Sequence, residues 1–555
     1  MIPSRWLRWA ANYFLMLSSI RPLPKYGRGT SRSLTALFLL ALISPFWSLS
    51  TPLIEVDDAR YAEVPREMLV FNDWGTPHLD GFPYVEKPPL WYWLAASSYR
   101  IFGVNEAAAR LPLALLSLLG MLGLAWLGSW LYAPDTGRMG AIMLASASLY
   151  FFLSHYITPD MPLAVFLLWC SALILRALMR PEDGRWAAPA AWACAGLAFL
   201  SKGLVALTFP IAWTVLLIIL FPQWRRGARA FLNPLGPLLF ILIAAPWFAL
   251  MERRHPGFLR FIFVEQHFQR YLTQKYNRSS PWYFFILVLP AGLLPWTPAA
   301  LAGFFRSFKA PRDPRDTALA LWVMLVAGFF TTSQSKLATY ILPAIPHLTL
   351  LAARALEEEL PKWSRVFCWM LGAVLLMAPL ALVLRPELAG EFNRQTLALA
   401  SLALVFMSVS SSGLGEKGRG WVIAAAAALA GGSSALAALR GSAQITSVKS
   451  LSQTIRERYR PGDQIYAYGT YLHGIPFYTG VLVDRILNWT GELHYAKRDP
   501  AYAGRFGGDN EIRELPIKGR RTFVICRRFE TKYLLNLSPG PVTTRPFGHW
   551  ELLEF

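Results

Sequence analysis

Hydrophobic positions along this chain do not alternate with polar ones. They come in blocks of about 20 residues, the length that crosses a bilayer as one helix. The blocks fall at 34–53, 108–132, 139–157, 161–179, 187–201, 204–222, 235–251, 282–304, 317–333, 340–356, 364–384, 397–411 and 420–438. Periodicity says little inside runs that are apolar all round, so spans are counted by length and by the charged residues between them. After about Arg440 the pattern changes. Residues 447–459 have helical spacing and stop at Pro461-Gly462, and 464–468, 481–483 and 522–526 read as strands. The expected fold class is an all-α polytopic membrane protein of about 13 transmembrane helices with a small C-terminal α/β domain. The expected divisions are a basic N-terminus (1–33), a transmembrane part (34–439) with large loops at 54–107 and 252–281, and the α/β domain (440–555).

Composition agrees. Of 555 residues, 54% are hydrophobic and only 16% charged, where a soluble chain carries roughly a quarter. Arg5, Arg8, Arg21, Lys25, Arg28 and Arg32 precede the first block and place the N-terminus in the cytoplasm. A cleaved signal peptide fits poorly, because the apolar run is long and lacks a small-residue cleavage site. Alternation then puts 133–138, 180–185, 223–229, 306–315, 357–365 and 413–420 inside, and most of these loops are rich in Lys or Arg. The C-terminal domain falls outside. The net charge of +20 is largely this topological bias. The outer loop 252–280 opposes the bias, with Arg253, Arg254, Arg260, Arg270, Lys275 and Arg278 against Glu252 and Glu265. A phosphate-bearing ligand explains it; anionic lipid head groups are the plainer alternative. Cys170, Cys194, Cys368 and Cys526 build neither a disulfide framework nor a thiolate metal motif. No Gly-rich phosphate loop opens a helix of the C-terminal domain, so no nucleotide cofactor is expected. Nothing points to nucleic acid as a partner.

The topology gathers the chemistry on one side. Asp57, Arg60, Tyr84, Glu86 and Lys87 lie in the first outer loop, and Asp160 begins the fourth span, in the second outer loop. Lys202, His267 and Arg270 follow in later outer turns. The spans hold almost no ionisable groups, which counts against a proton relay or ion pathway and hence against a transporter or flippase. Asp57 alone reads as a helix cap, but it sits in Asp57-Asp58-Ala59-Arg60-Tyr61-Ala62-Glu63, whose spacings permit ion pairs. In Tyr84-Val85-Glu86-Lys87-Pro88-Pro89, Pro88 pushes Lys87 toward an extended conformation. That stiff segment holds a point charge for a phosphate, or simply connects to the aromatic belt that follows. His267, Arg270 and Tyr271 share one face if 258–271 is helical. One divalent ion, zinc or similar, at Glu86 and His267 is the cofactor expectation, although two ligands are too few for a closed site.

The motifs 57–68, 84–90 and Thr158-Pro159-Asp160 resemble the lipid-linked-sugar glycosyltransferases of GT-C fold. Within that group they are similar to the transferases of 4-amino-4-deoxy-L-arabinose to lipid A, which are related to protein O-mannosyltransferases. The position of Asp58 is commonly Glu in that family; Asp57 keeps its place. The resemblance implies an inverting pentosyltransferase in the bacterial inner membrane, with active site and C-terminal domain in the periplasm. Its donor would be undecaprenyl phosphate-linked aminoarabinose and its acceptor a phosphate of lipid A, a modification that confers polymyxin resistance. It further implies catalytic roles for Asp57, Asp160 and Glu86, with Lys87, Arg60, Arg270, Tyr84 and Lys202 holding the donor and its phosphate. A protein O-mannosyltransferase-like enzyme is the nearest rival.

Overall fold

The computed structural model describes residues 28–272, 280–309, 313–357 and 447–555, the last without 490, 494–496, 498, 516–519 and 539, and isolated positions between 363 and 446. Apart from those isolated positions, the expected spans at 364–384, 397–411 and 420–438 and most of the basic N-terminus fall outside these residues.

Long apolar helices form where the hydrophobic blocks are uninterrupted. Glu106–Leu131, Asp160–Met179 and Leu235–Arg254 are long and apolar enough to cross a membrane. Two bent pairs raise the number to five among the described residues: Val205–Leu220 with Pro222–Leu232, and Phe284–Gly292 with Thr297–Arg306. The expectation of one straight helix per block fails at several places, mostly for one reason. Proline removes a backbone donor and clashes with the preceding turn. Block 282–304 bends by 115° where Pro290 and Pro295 fall. Block 340–356 opens with a 3₁₀ segment, Ala338–Ala344, containing Pro343, before Ile345–Ala355. Block 139–157 divides at Ala147, whose extended backbone separates Pro134–Ser146 from Ser148–Leu153.

The first outer loop is itself built of structure. Helix Asp57–Val70 leads to a two-stranded ribbon of β1 (His78–Leu79) and β2 (Phe82–Pro83), then to helix Leu90–Phe102. The two helices lock together by Trp91 Nε1 donating to Tyr61 O (2.8 Å) and Tyr99 hydroxyl to Ala62 O (2.9 Å).

The C-terminal unit begins with helix Lys449–Arg458 and carries a six-stranded sheet in the order β5-β4-β3-β6-β8-β7. The strands are β3 (Gln464–Tyr468), β4 (Arg485–Leu487), β5 (Phe506–Gly507), β6 (Thr522–Arg527), β7 (Thr543–Phe547) and β8 (Trp550–Glu554). Pairs β3–β4, β4–β5 and β3–β6 are parallel; β6–β8 and β7–β8 are antiparallel. The strand expected at 481–483 lies instead at Arg485–Leu487. Val483 stops short because its N–H is donated to the Asp80 carboxylate at 2.8 Å. This unit is not a detached module. One face of its sheet, with Ile465, Ala467, Phe523 and Ile525, belongs to the same hydrophobic core as the helices, while Tyr466, Tyr468, Val524 and Cys526 pack in a second cluster on the other face. Phe82 stacks on Phe506 at 5.3 Å, and the Glu55 carboxylate accepts from His473 and Gly474 N–H.

Candidate functional site

The acidic pair at the start of helix Asp57–Val70 divides its work. A carboxylate in a first turn is favoured by the unpaired N–H groups and dipole there. Asp57 keeps 40% of its side-chain surface exposed and pairs with Arg60 one turn on. Asp58 is fully buried and pairs with Arg110. It also accepts from Ile54 N–H and Ile157 N–H, both at 3.0 Å. Asp58 therefore ties the first outer loop to the turn just before Asp160. The residue that anchors the site sits beside the one that faces it.

Asp160 and Lys202 meet by chain direction alone. Asp160–Met179 and Gly184–Lys202 run back-to-back through the short turn Pro181–Asp183, so the start of one lies beside the end of the other. Their charges pair directly, and each also suits the helix end it occupies. Lys202 Nζ lies 4.2 Å from the centre of the Tyr340 ring. Glu86 and Lys87 stand on irregular backbone between β2 and helix Leu90–Phe102, stiffened by Pro88-Pro89. Arg270 follows a π-helical stretch, Phe261–Gln269, and donates to Gln266 Oε1 at 3.2 Å. The regular helix expected over 258–271 is thus wound more widely, yet His267, Arg270 and Tyr271 still line one cavity.

Two cavities share a wall. The first, about 640 Å³, is lined by Asp57, Arg60, Tyr84, Glu86, Lys87, Asp160, Lys202 and Arg270. The second, about 820 Å³, is mostly apolar and runs along Val205, Leu207 and Ile211 toward Phe329 and Phe330. Glu86, Lys87, Lys202, Arg270 and Tyr340 line both. Three cations thus stand at the junction between a polar chamber and an apolar groove. Burial and the Arg270 guanidinium lower the Lys87 amine to about 7, with Lys202 and Arg60 adding to the effect and Glu86 opposing it. Burial keeps the Tyr84 and Tyr61 hydroxyls protonated, hence hydrogen-bond donors. Such a junction attracts an anion whose remainder is hydrocarbon on one side and polar on the other.

All eight residues expected for catalysis and donor binding line the polar chamber. His267 does not; it lines the apolar one. Its Nδ1 lies 2.6 Å from Ile262 O, and Nε2 lies 3.1 Å from Lys202 O and accepts from Leu204 N–H at 3.3 Å. Burial favours the neutral ring, so the one available lone pair is directed at Leu204. Among the described residues no three His, Cys, Asp or Glu side chains gather to hold a metal ion. The donor set at Glu86 and His267 does not fit a metal centre, and His267 acts as a clamp between the π-helical stretch and helix Val205–Leu220. The sequence reading missed Tyr156, Tyr340 and Gly491, which also line the polar chamber. The last two lie far along the chain from its motifs, and no local pattern marks them.

A family model described as dolichyl-phosphate-mannose-protein mannosyltransferase matches residues 86–249. An undecaprenyl phosphate-alpha-4-amino-4-deoxy-L-arabinose arabinosyl transferase of Sodalis glossinidius is 32% identical over 393 residues, 66% of this chain and 69% of that one. A Pseudomonas paraeruginosa protein of the same name is 31% identical over 312 residues, 55% of this chain and 56% of the relative. The chain thus spans little more than half the length of this second relative. The crystal structure of ArnT from Cupriavidus metallidurans bound to undecaprenyl phosphate superimposes with a TM-score of 0.81 at 25% identity, covering 94% of this chain and 97% of that one. With the polar chamber, the apolar groove and the cations between them, these similarities place the chain in the family of undecaprenyl phosphate-aminoarabinose arabinosyl transferases.

Proposed function

We propose that this protein moves 4-amino-4-deoxy-L-arabinose from undecaprenyl phosphate to a phosphate of lipid A at the periplasmic face of the inner membrane. The observation that carries the reading is the shared wall of the two cavities. A polyprenyl chain enters laterally from the bilayer and lies along Val205, Leu207 and Ile211. Its phosphate stops at Lys87, Lys202 and Arg270, which places the sugar in the polar chamber with Asp57 and Asp160.

The chemistry is a displacement. An oxygen of the acceptor phosphate forms a bond to the anomeric carbon as that carbon's bond to the donor phosphate oxygen breaks. Undecaprenyl phosphate leaves as an anion, and the configuration inverts. Negative charge grows on the leaving phosphate, where preorganised cations in a water-poor wall are most effective. The acceptor phosphate is already ionised, so no strong base is needed. Asp57 orients the acceptor and takes any residual proton. Asp160, held by Lys202, and Glu86 face the positive charge that develops on the sugar ring and its ammonium group.

Mass spectrometry of lipid A from cells with and without the chain tests this. The expected result is a mass gain of one aminopentose. The family model at 86–249 favours one rival, transfer to a protein hydroxyl. Label from a radioactive polyprenyl-phosphate sugar reaching protein and not lipid A would establish that rival instead.

A further inference from the structure

The C-terminal sheet reverses direction at β3. From there the chain adds β4 and β5 on one side and β6 on the other. In open α/β sheets, ligand crevices form outside the carboxyl ends of the strands at such a reversal. Here those ends lead toward the candidate site. After β3, His473 and Gly474 hold the Glu55 carboxylate, two residues before Asp57. After β4, Gly491 lines the polar chamber.

The carboxyl end of β6 lies on the same edge, two strand spacings or about 10 Å from β4. It carries a group of side chains that the reaction above does not use. Phe529 is 75% exposed and Tyr533 48%. Arg527, Arg528 and Lys532 are exposed beside them. The Arg527 guanidinium lies 5.9 Å from the Phe529 ring centre. The acid in this stretch, Glu530, is turned inward: its carboxylate accepts from Arg527 N–H at 3.0 Å and lies against Gly469, whose φ of +62° and missing side chain make room for it. Asp509 fixes the aromatic side by accepting from the Tyr533 hydroxyl at 2.5 Å and the Tyr468 hydroxyl at 2.7 Å.

We propose that this exposed aromatic and basic group is a recruiting subsite for a phosphorylated saccharide, the head group of the acceptor. The inference rests on the reading that the acceptor is a phosphorylated glycolipid. The C–H face of a sugar ring packs on Phe529 and Tyr533. Its phosphate is held by Arg527, Arg528 and Lys532, two of which present the planar fork that matches phosphate oxygens. A plain phospholipid surface offers the phosphates but no ring for the aromatic pair, which favours the saccharide.

The test uses the full-length protein in detergent and a fluorescent, deacylated glucosamine disaccharide bisphosphate. Binding is read by anisotropy for the wild type, for Phe529→Ala/Tyr533→Ala and for Arg527→Gln/Arg528→Gln/Lys532→Gln. Each variant is expected to bind the disaccharide at least tenfold more weakly. The acceptor KM should rise while kcat and undecaprenyl phosphate binding stay as in the wild type. Unchanged disaccharide affinity in both variants overturns the proposal. So does competition by phosphatidylglycerol vesicles as strong as that by unlabelled disaccharide, since the surface would then read charge alone. If either variant melts at a lower temperature, the single change Phe529→Ala takes its place. Wild-type protein that binds the disaccharide but glycosylates only protein would refute the reading of the reaction and leave the subsite standing.

Discussion

At the scale of single residues, neighbours in sequence have opposite duties. Asp57 faces the chamber and Asp58 is locked to Arg110. Asp57→Asn keeps the shape and removes the charge. It is expected to lower kcat by about 10²–10³, the usual cost of losing one group aimed at the reacting centre, with the melting temperature unchanged; single-turnover transfer in membranes measures it. Lys87 gives a pH prediction. Its folded value of about 7 lies below the ordinary 10.5, so between those values the unfolded chain holds a proton that the folded chain lacks. Stability should therefore rise with pH across that interval. Phosphate binding needs the charged amine and should weaken as pH climbs past about 7. Lys87→Arg keeps its charge at every working pH, so above about pH 7.5, where the phosphate is already a dianion, its affinity for undecaprenyl phosphate should be flat. A titration that is equally steep in both proteins would show that another group sets the pH dependence.

At the scale of elements, helix ends and breaks build the site. The hairpin of Asp160–Met179 and Gly184–Lys202 delivers an acid and a base to one point, and its second helix ends at Gly203 with φ +75°. A Cβ at Gly203 would lie 2.5 Å from His267 Nε2. Gly203→Ala is expected to cost about 1–3 kcal/mol, from the left-handed backbone and the displaced imidazole together. Thermal unfolding in detergent reads the loss, and donor binding should weaken with it because Lys202 is next in the chain. The block pattern showed where these helices lie but not how they bend. The break at Ala147 carries no proline of its own; it is set by packing against the turn near Leu294, whose carbonyl accepts from Ser148 N–H at 2.9 Å.

At the scale of the whole molecule, the C-terminal unit is keyed into the first outer loop. Fully buried Asp80 accepts from Val483 N–H and from Arg505, whose Nη2 lies 2.9 Å away. Burial raises the Asp80 carboxyl to about 7 even with Arg505 pulling the other way. Arg505→Ala strands that carboxylate and is expected to destabilise the protein by about 3 kcal/mol. Without Arg505 the carboxyl rises further and stays neutral at low pH, so the deficit should be larger at pH 8 than at pH 5. Melting curves at the two values check the sign; an equal deficit at both would mean that Arg505 acts through its other contacts, the Phe82 ring centre 4.4 Å away and the Asp80 carbonyl oxygen, and not through the carboxylate.

The residues of the chamber were legible as candidates because ionisable groups are expensive near hydrocarbon and rarely stand there without a task. Asp57, Glu86, Lys87 and Asp160 stand out on that ground. Tyr340 and Gly491 do not, since an uncharged aromatic or a glycine at a helix end costs little and signals nothing. The membrane class, the helical blocks and the placing of charge at their ends follow from the chain alone, because transfer of apolar and charged groups between water and lipid depends on composition over about 20 residues. Which acid of a pair is buried, whether His267 has a lone pair to give, how the sheet reverses at β3 and which distant turns share a wall were decided by tertiary structure. Each depends on neighbours brought together across hundreds of residues, and no local pattern encodes a neighbour.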